Sequence, residues 1–163
     1  MKPDIGTIGS LETLEGRSGL KGELFLEVLK STGQAKLGVT GASMLPAIWP
    51  GDILEVHRQS MEEVSPGDVV LFTRRGGFAA HRVMKKTGRP GRRLLITHGD
   101  ALPAPDEPVS PRELLGRVSA VLRGGRRLEP RLTRWSRASS WILARSDLCV
   151  RLVLRLRRLA QSF

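Results

Sequence analysis

The chain has 163 residues, with 27 Lys and Arg against 16 Asp and Glu and a formal net charge of +11. That length suits one domain of roughly 100 to 150 residues with appendages, and a 40% hydrophobic share excludes a wholly disordered chain. The single cysteine, Cys149, cannot close an internal disulfide, which removes the disulfide-stapled secreted scaffolds.

The charge is unevenly spread. Met1 to Ala120 holds 16 basic and 14 acidic residues, whereas Val121 to Phe163 holds 11 arginines against Glu129 and Asp147. A nearly neutral body is therefore expected to carry a strongly basic tail. The N-terminal run MKPDIGTIGSLETLEGRSGLKGELF has acids and glycines where a secretory signal needs an apolar core of about 7 to 15 residues, so no export signal is expected. The most apolar stretch, WILARSDLCVRLVLRLRRL, is interrupted by Arg145, Asp147, Arg151 and Arg155, so no membrane span is expected either. These readings imply a cytoplasmic protein, with the inner membrane face as a peripheral location.

Three regions follow in chain order. Residues 1–34 form an N-terminal extension in which GLKGELFLEVLKSTG spaces Leu20, Leu24, Phe25, Val28 and Leu29 as one face of a short amphipathic helix ended by Gly33. Residues 35–128 read as a compact β domain. Its runs AKLGVTG, DILEVHR, DVVLFTRR, FAAHRVM, RRLLITH and LLGRVSAVLR are separated by WPGD, SPGD, RRGG, TGRPGR and GDALPAPDEPVSP, all rich in turn residues. Residues 129–163 read as a basic helical tail: Trp141, Leu148, Leu152, Leu156 and Leu159 share one stripe, and Arg151, Arg155 and Arg158 another. Such a helix fits an anionic membrane surface, with Trp135 and Trp141 at headgroup depth, or packing on the body or a partner; nucleic acid is the least favoured of its partners.

The string GASMLPAIWPGDILEV carries the chemical signal. Pro46 and Pro50 fix φ around Ser43 and place it on a constrained turn, which suits a hydroxyl that must be aimed. A serine nucleophile needs a base, and composition leaves His57, His81 and His98 all open, with Lys85 and Lys86 as weaker candidates. No paired ligand spacing joins the histidines to Cys149, so neither a metal nor another cofactor is expected.

The ordered strings GASMLPAIWPGDIL, SPGDVVLF, AHRVM and THGDALPAPDEPV, spread over Val39 to Val118, resemble the boxes of the type I signal peptidase family. The resemblance implies a mainly β, compact catalytic domain of the signal-peptidase and SOS-repressor type. It puts Ser43 at the nucleophile position and His81 at the base position, as in the branch that uses histidine rather than lysine. Of the acidic box, Asp106 is implied as the partner of His81, and Asp100 as a structural or auxiliary carboxylate. Met44 and Pro46, beside the nucleophile, are expected to contact substrate. Gly41-Ala42 departs from the family's Ser-Gly, which leaves the Ser43 N–H, helped by another amide or Thr40, as the oxyanion donor.

The function so implied is a serine endopeptidase that cuts a dedicated peptide or protein precursor after small residues. Self-processing in the manner of the SOS repressors, whose Gly-x-Ser-Met resembles Gly41-Ala42-Ser43-Met44, is the alternative, although neither Ala-Gly nor Cys-Gly precedes Ser43. A non-catalytic peptide-binding module with a membrane- or nucleic-acid-binding tail is the third reading.

Overall fold

The structure, a computed structural model, describes residues 20–89 and 91–130, without the side chains of Leu20 and Lys21. The expected basic tail beyond Pro130, with Trp135, Trp141 and Cys149, lies outside the described residues, as do the first 19 positions.

Helix α1 spans Leu20–Thr32 and is followed by β1 (Gln34–Gly38), β2 (Ile53–His57), β3 (Val69–Arg74), β4 (Gly77–Thr87), β5 (Leu94–His98), β6 (Leu114–Arg123) and β7 (Arg126–Leu128). Among the described residues the strands pair antiparallel in one sheet of order β1-β2-β6-β3-β4-β5, and β7 folds back on β6. The fold is therefore mainly β, as the sequence implied, and among the described residues it has one short helix, at the expected N-terminal place. The six expected runs became β1 to β6; β7 was not anticipated.

The turns follow from their residues. Trp49-Pro50-Gly51-Asp52 and Ser65-Pro66-Gly67-Asp68 have the same form: proline second, glycine third at φ 89° and 94°, and the aspartate N–H donating to the carbonyl of the first residue at 3.0 and 3.1 Å. That is the type II pattern, which requires a positive φ at its third residue. Two-residue loops close the β3–β4 and β6–β7 hairpins with positive φ at both positions, Arg75-Gly76 and Gly124-Gly125, matching the twist of the strands they join.

Alternation splits the core. Leu71, Phe78 and Ala80 face one cluster with Phe25, Leu29, Val39, Met44 and Ile48, while Val70, Phe72, Ala79 and Val83 face another with Met61, Val64, Leu95 and Val109. The β3–β4 pair is thus covered on both faces, and its first residues read as unbroken apolar runs for that reason. Helix α1 joins the first cluster through Phe25, whose ring lies 5.3 Å from that of Phe78. Its expected stripe is only half used: Phe25 and Leu29 are buried, but Leu24 is 61% and Val28 38% exposed. Gly33, at φ 74°, ends the helix by donating to the Leu29 carbonyl at 3.1 Å.

Candidate active site

Ser43 lies between β1 and β2 in a short coil in which Leu45 N–H bonds to Ala42 O at 3.2 Å and Ile48 N–H to Met44 O at 2.9 Å. Two anchors hold this coil. On one side the Ala101 N–H donates to the Ser43 carbonyl at 2.8 Å. On the other, the buried Asp52 accepts from the Trp49 N–H at 2.7 Å and receives Arg123 through Nε and Nη2 at 2.9 and 2.7 Å; Arg123 also donates to the Ala47 carbonyl at 3.1 Å. A two-nitrogen guanidinium clamp fixes direction as well as distance, so the turn enters β2 at a set angle.

His81 comes from the buried stretch of β4, with Phe72 of β3 meeting its ring edge-on at 5.8 Å. Its Nε2 stands 3.1 Å from Ser43 Oγ, and its Nδ1 stands 2.7 Å from Asp106 Oδ2. The same carboxylate oxygen accepts from Thr97 Oγ1 at 2.7 Å, while the Asp106 N–H donates to the Thr97 carbonyl at 2.9 Å. Thr97 on β5 therefore holds both the backbone and the side chain of the loop residue that faces the imidazole. Ser43 and His81 are only 9% and 6% exposed.

Burial of Asp106 opposes its ionisation, but the hydrogen bond and charge of His81, the Thr97 hydroxyl and the nearby Arg74 together outweigh it. The carboxyl is held below its ordinary value of 3.8. An ionised Asp106 accepts a hydrogen bond from Nδ1–H, which keeps the proton on Nδ1 and leaves the Nε2 lone pair towards Ser43 Oγ. This relay has the form in which imidazole can take a hydroxyl proton and the carboxylate can stabilise the resulting cation.

Of the three histidines left open by composition, His81 is the one bonded to Ser43; His57 and His98 end β2 and β5. Lys86 is tied to the Glu62 carbonyl at 2.8 Å, and Lys85 is exposed. Asp100 does not join the relay. It is buried against Arg82, which donates to its two oxygens from Nε and Nη2 at 2.9 and 2.7 Å and from Nη1 to the carbonyls of Gly67 and Pro130. Met44, expected at a substrate surface, instead packs into the first core cluster at 4% exposure, because the Ile48 N–H to Met44 O turn puts both side chains inward. Pro46 is half-buried, and its carbonyl receives the Trp49 indole N–H at 2.8 Å.

Arg82, Arg123, Asp52 and Thr97 were not anticipated as parts of the site's framework. A signal for three of them lay in the repeated Gly-Asp of turns 51–52, 67–68 and 99–100, since Asp52, Asp68 and Asp100 each meet an arginine: Arg123, Arg117 and Arg82. Among the described residues no group of three or more His, Cys, Asp or Glu side chains could hold a metal ion, and no helix is long and apolar enough to cross a membrane.

A mainly antiparallel β domain with a Ser-His-Asp relay at the junction of two loops and a strand has the features of a serine-peptidase-like protein. The family model described as Peptidase S24-like matches residues 11–118, about two thirds of the chain, and the protein belongs to that family. No curated protein matches the chain.

Proposed function

We propose that the protein is a serine endopeptidase in which Ser43 is the nucleophile, His81 the general base and Asp106 the carboxylate that orients it. The observation that carries this reading is the continuous relay of 2.7 and 3.1 Å contacts from Asp106 through His81 to Ser43 Oγ, built from three separate segments of the family domain. As Ser43 Oγ attacks the scissile carbonyl, His81 Nε2 takes its proton and later returns it to the leaving amine; an acyl-enzyme forms and water hydrolyses it by the reverse route. The Ser43 N–H donates to no acceptor among the described residues and supplies the oxyanion donor beside the nucleophile.

The substrate class is a peptide or protein precursor that lies extended against the site. The family match also favours a second reading, in which the bond cut belongs to the chain itself. One experiment separates them. The purified protein is incubated with a random-sequence peptide pool, and both the pool and the intact protein mass are followed. Cleaved peptides that vanish with Ser43→Ala and His81→Ala support the endopeptidase; a Ser43-dependent loss of protein mass with an untouched pool supports self-processing. Cleavage that persists in folded Ser43→Ala refutes both.

A further inference from the structure

A cavity of about 290 Å³ opens beside the relay, lined by Phe72, Ala79, Leu102 and Ala104 together with the buried His81 and, at exposed positions that mark its mouth, Arg75 and Glu107. It forms because Phe72 and Ala79 are cross-strand partners and His81, two residues on, shares their face, while the loop through Leu102–Pro105 completes the lining. Its size is at the lower limit for small-molecule sites, which run from about 300 Å³, so it suits one or two side chains rather than a whole ligand.

Its position relative to the chemistry is informative. His81 lines it and Ser43 does not, so the imidazole stands between the nucleophile and the cavity. In peptide hydrolysis the acyl group stays on the serine, while the leaving amine lies next to the imidazole that protonates it. The chain that continues from that amine runs out past His81. Resting on the peptidase reading, we infer that this cavity is the subsite for the leaving-group side of the substrate. It takes an aliphatic side chain within the first two residues after the cut.

The rim governs the neighbouring substrate residue. Arg74 is engaged by Glu107 and Glu113 at 3.4 and 3.5 Å, and Asp106 is engaged by His81. Arg75, exposed at the hairpin tip, meets no carboxylate among the described residues. Arg75, the arginine of this lining with no ion-pair partner among the described residues, is placed to meet an acidic residue next to the aliphatic one.

The test has two arms. In the first, the random peptide pool is digested and the new N-termini are sequenced by mass spectrometry for the parent, Ala79→Leu, Ala104→Trp and Arg75→Glu proteins. In the parent, Leu, Val or Met is enriched in the first two positions after the cut. That enrichment falls about tenfold when Ala79→Leu fills the floor, and also with Ala104→Trp, which lies at an exposed position and leaves the core untouched. Arg75→Glu removes the acidic preference by about two- to fivefold, as suits an exposed charge. The second arm needs no turnover: folded Ser43→Ala is used to capture peptides from the same pool, with and without Ala104→Trp. Selectivity confined to the residues before the cut, or identical peptide sets captured with and without Ala104→Trp, overturns the assignment. Loss of cleavage with capture intact points to the catalytic reading as the part that failed.

Discussion

Asp100→Asn is the most informative single change, because it distinguishes a carboxylate of the framework from one of the chemistry. Asp100 and Arg82 have side chains only 3% and 9% exposed, and their two-point contact at 2.7 and 2.9 Å is made out of water. Removing one member of such a pair costs about 3 to 5 kcal/mol, since the partner is left charged and buried. Arg82 retains the Gly67 and Pro130 carbonyls at 2.8 and 3.0 Å, so the lower value of about 3 kcal/mol applies. Against a stability of about 5 to 15 kcal/mol for a domain this is a large fraction. With a urea slope of about 1.5 kcal/mol per molar, the midpoint should fall by about 2 M at unchanged slope. Equilibrium unfolding followed by far-ultraviolet circular dichroism measures this directly. The double variant Arg82→Met with Asp100→Leu should cost less than the two single changes together, because it leaves no stranded charge. A midpoint within about 0.3 M of the parent for Asp100→Asn, or strict additivity in the double variant, would refute the buried-pair account.

Asp106→Asn should leave the fold intact and lower the cleavage rate about 10³- to 10⁴-fold, through loss of the favoured tautomer; the rate on the peptide pool checks it. The depressed carboxyl of Asp106 also has a pH signature. Its stabilisation is complete above the unfolded value of 3.8, shrinks as pH falls below that, and is gone once the lower folded value is passed, so the difference in melting temperature between parent and Asp106→Asn should disappear in strong acid. Gly99→Ala should cost about 1 to 3 kcal/mol and slow cleavage together, because a Cβ there would stand 2.9 Å from the Ser43 carbonyl and 2.8 Å from Leu102; calorimetry and the same rate assay read both effects.

Most of the sheet was legible because this chain marks its turns heavily. Pro-Gly-Asp occurs before β2 and again before β3, and the runs between turns alternate or stay apolar as their burial demands. The strand β7 was missed since Arg126-Arg127-Leu128 has no apolar pattern; all three residues are exposed, and the Gly124-Gly125 loop rather than side-chain burial brings them back onto β6. The family resemblance singled out His81 and Asp106 beside Ser43, whereas composition alone left three histidines open, because which of them the serine meets depends on the β3–β4 and β4–β5 registers. Met44 was misplaced for a related reason: nothing local tells which side of a tight coil faces the core. The arginines that clamp Asp52 and Asp100 were hidden among 27 basic residues whose average role is to be solvated.

The Ala101 to Ser43 bond has a consequence for when the relay can assemble. Ser43 and His81 are 38 positions apart, His81 and Asp106 a further 25, and the Ser43 carbonyl is fixed by a residue that follows β5. No local segment can therefore assemble a working relay. Contacts so distant along the chain are closed only after their loop entropy has been overcome, and in sheets of this kind they form late. A half-made or partly folded chain holds a serine, a histidine and an aspartate with no means of aligning them. Alignment of the three side chains is thus tied to completion of the sheet, because the segments that carry them are brought together only by its strand pairings.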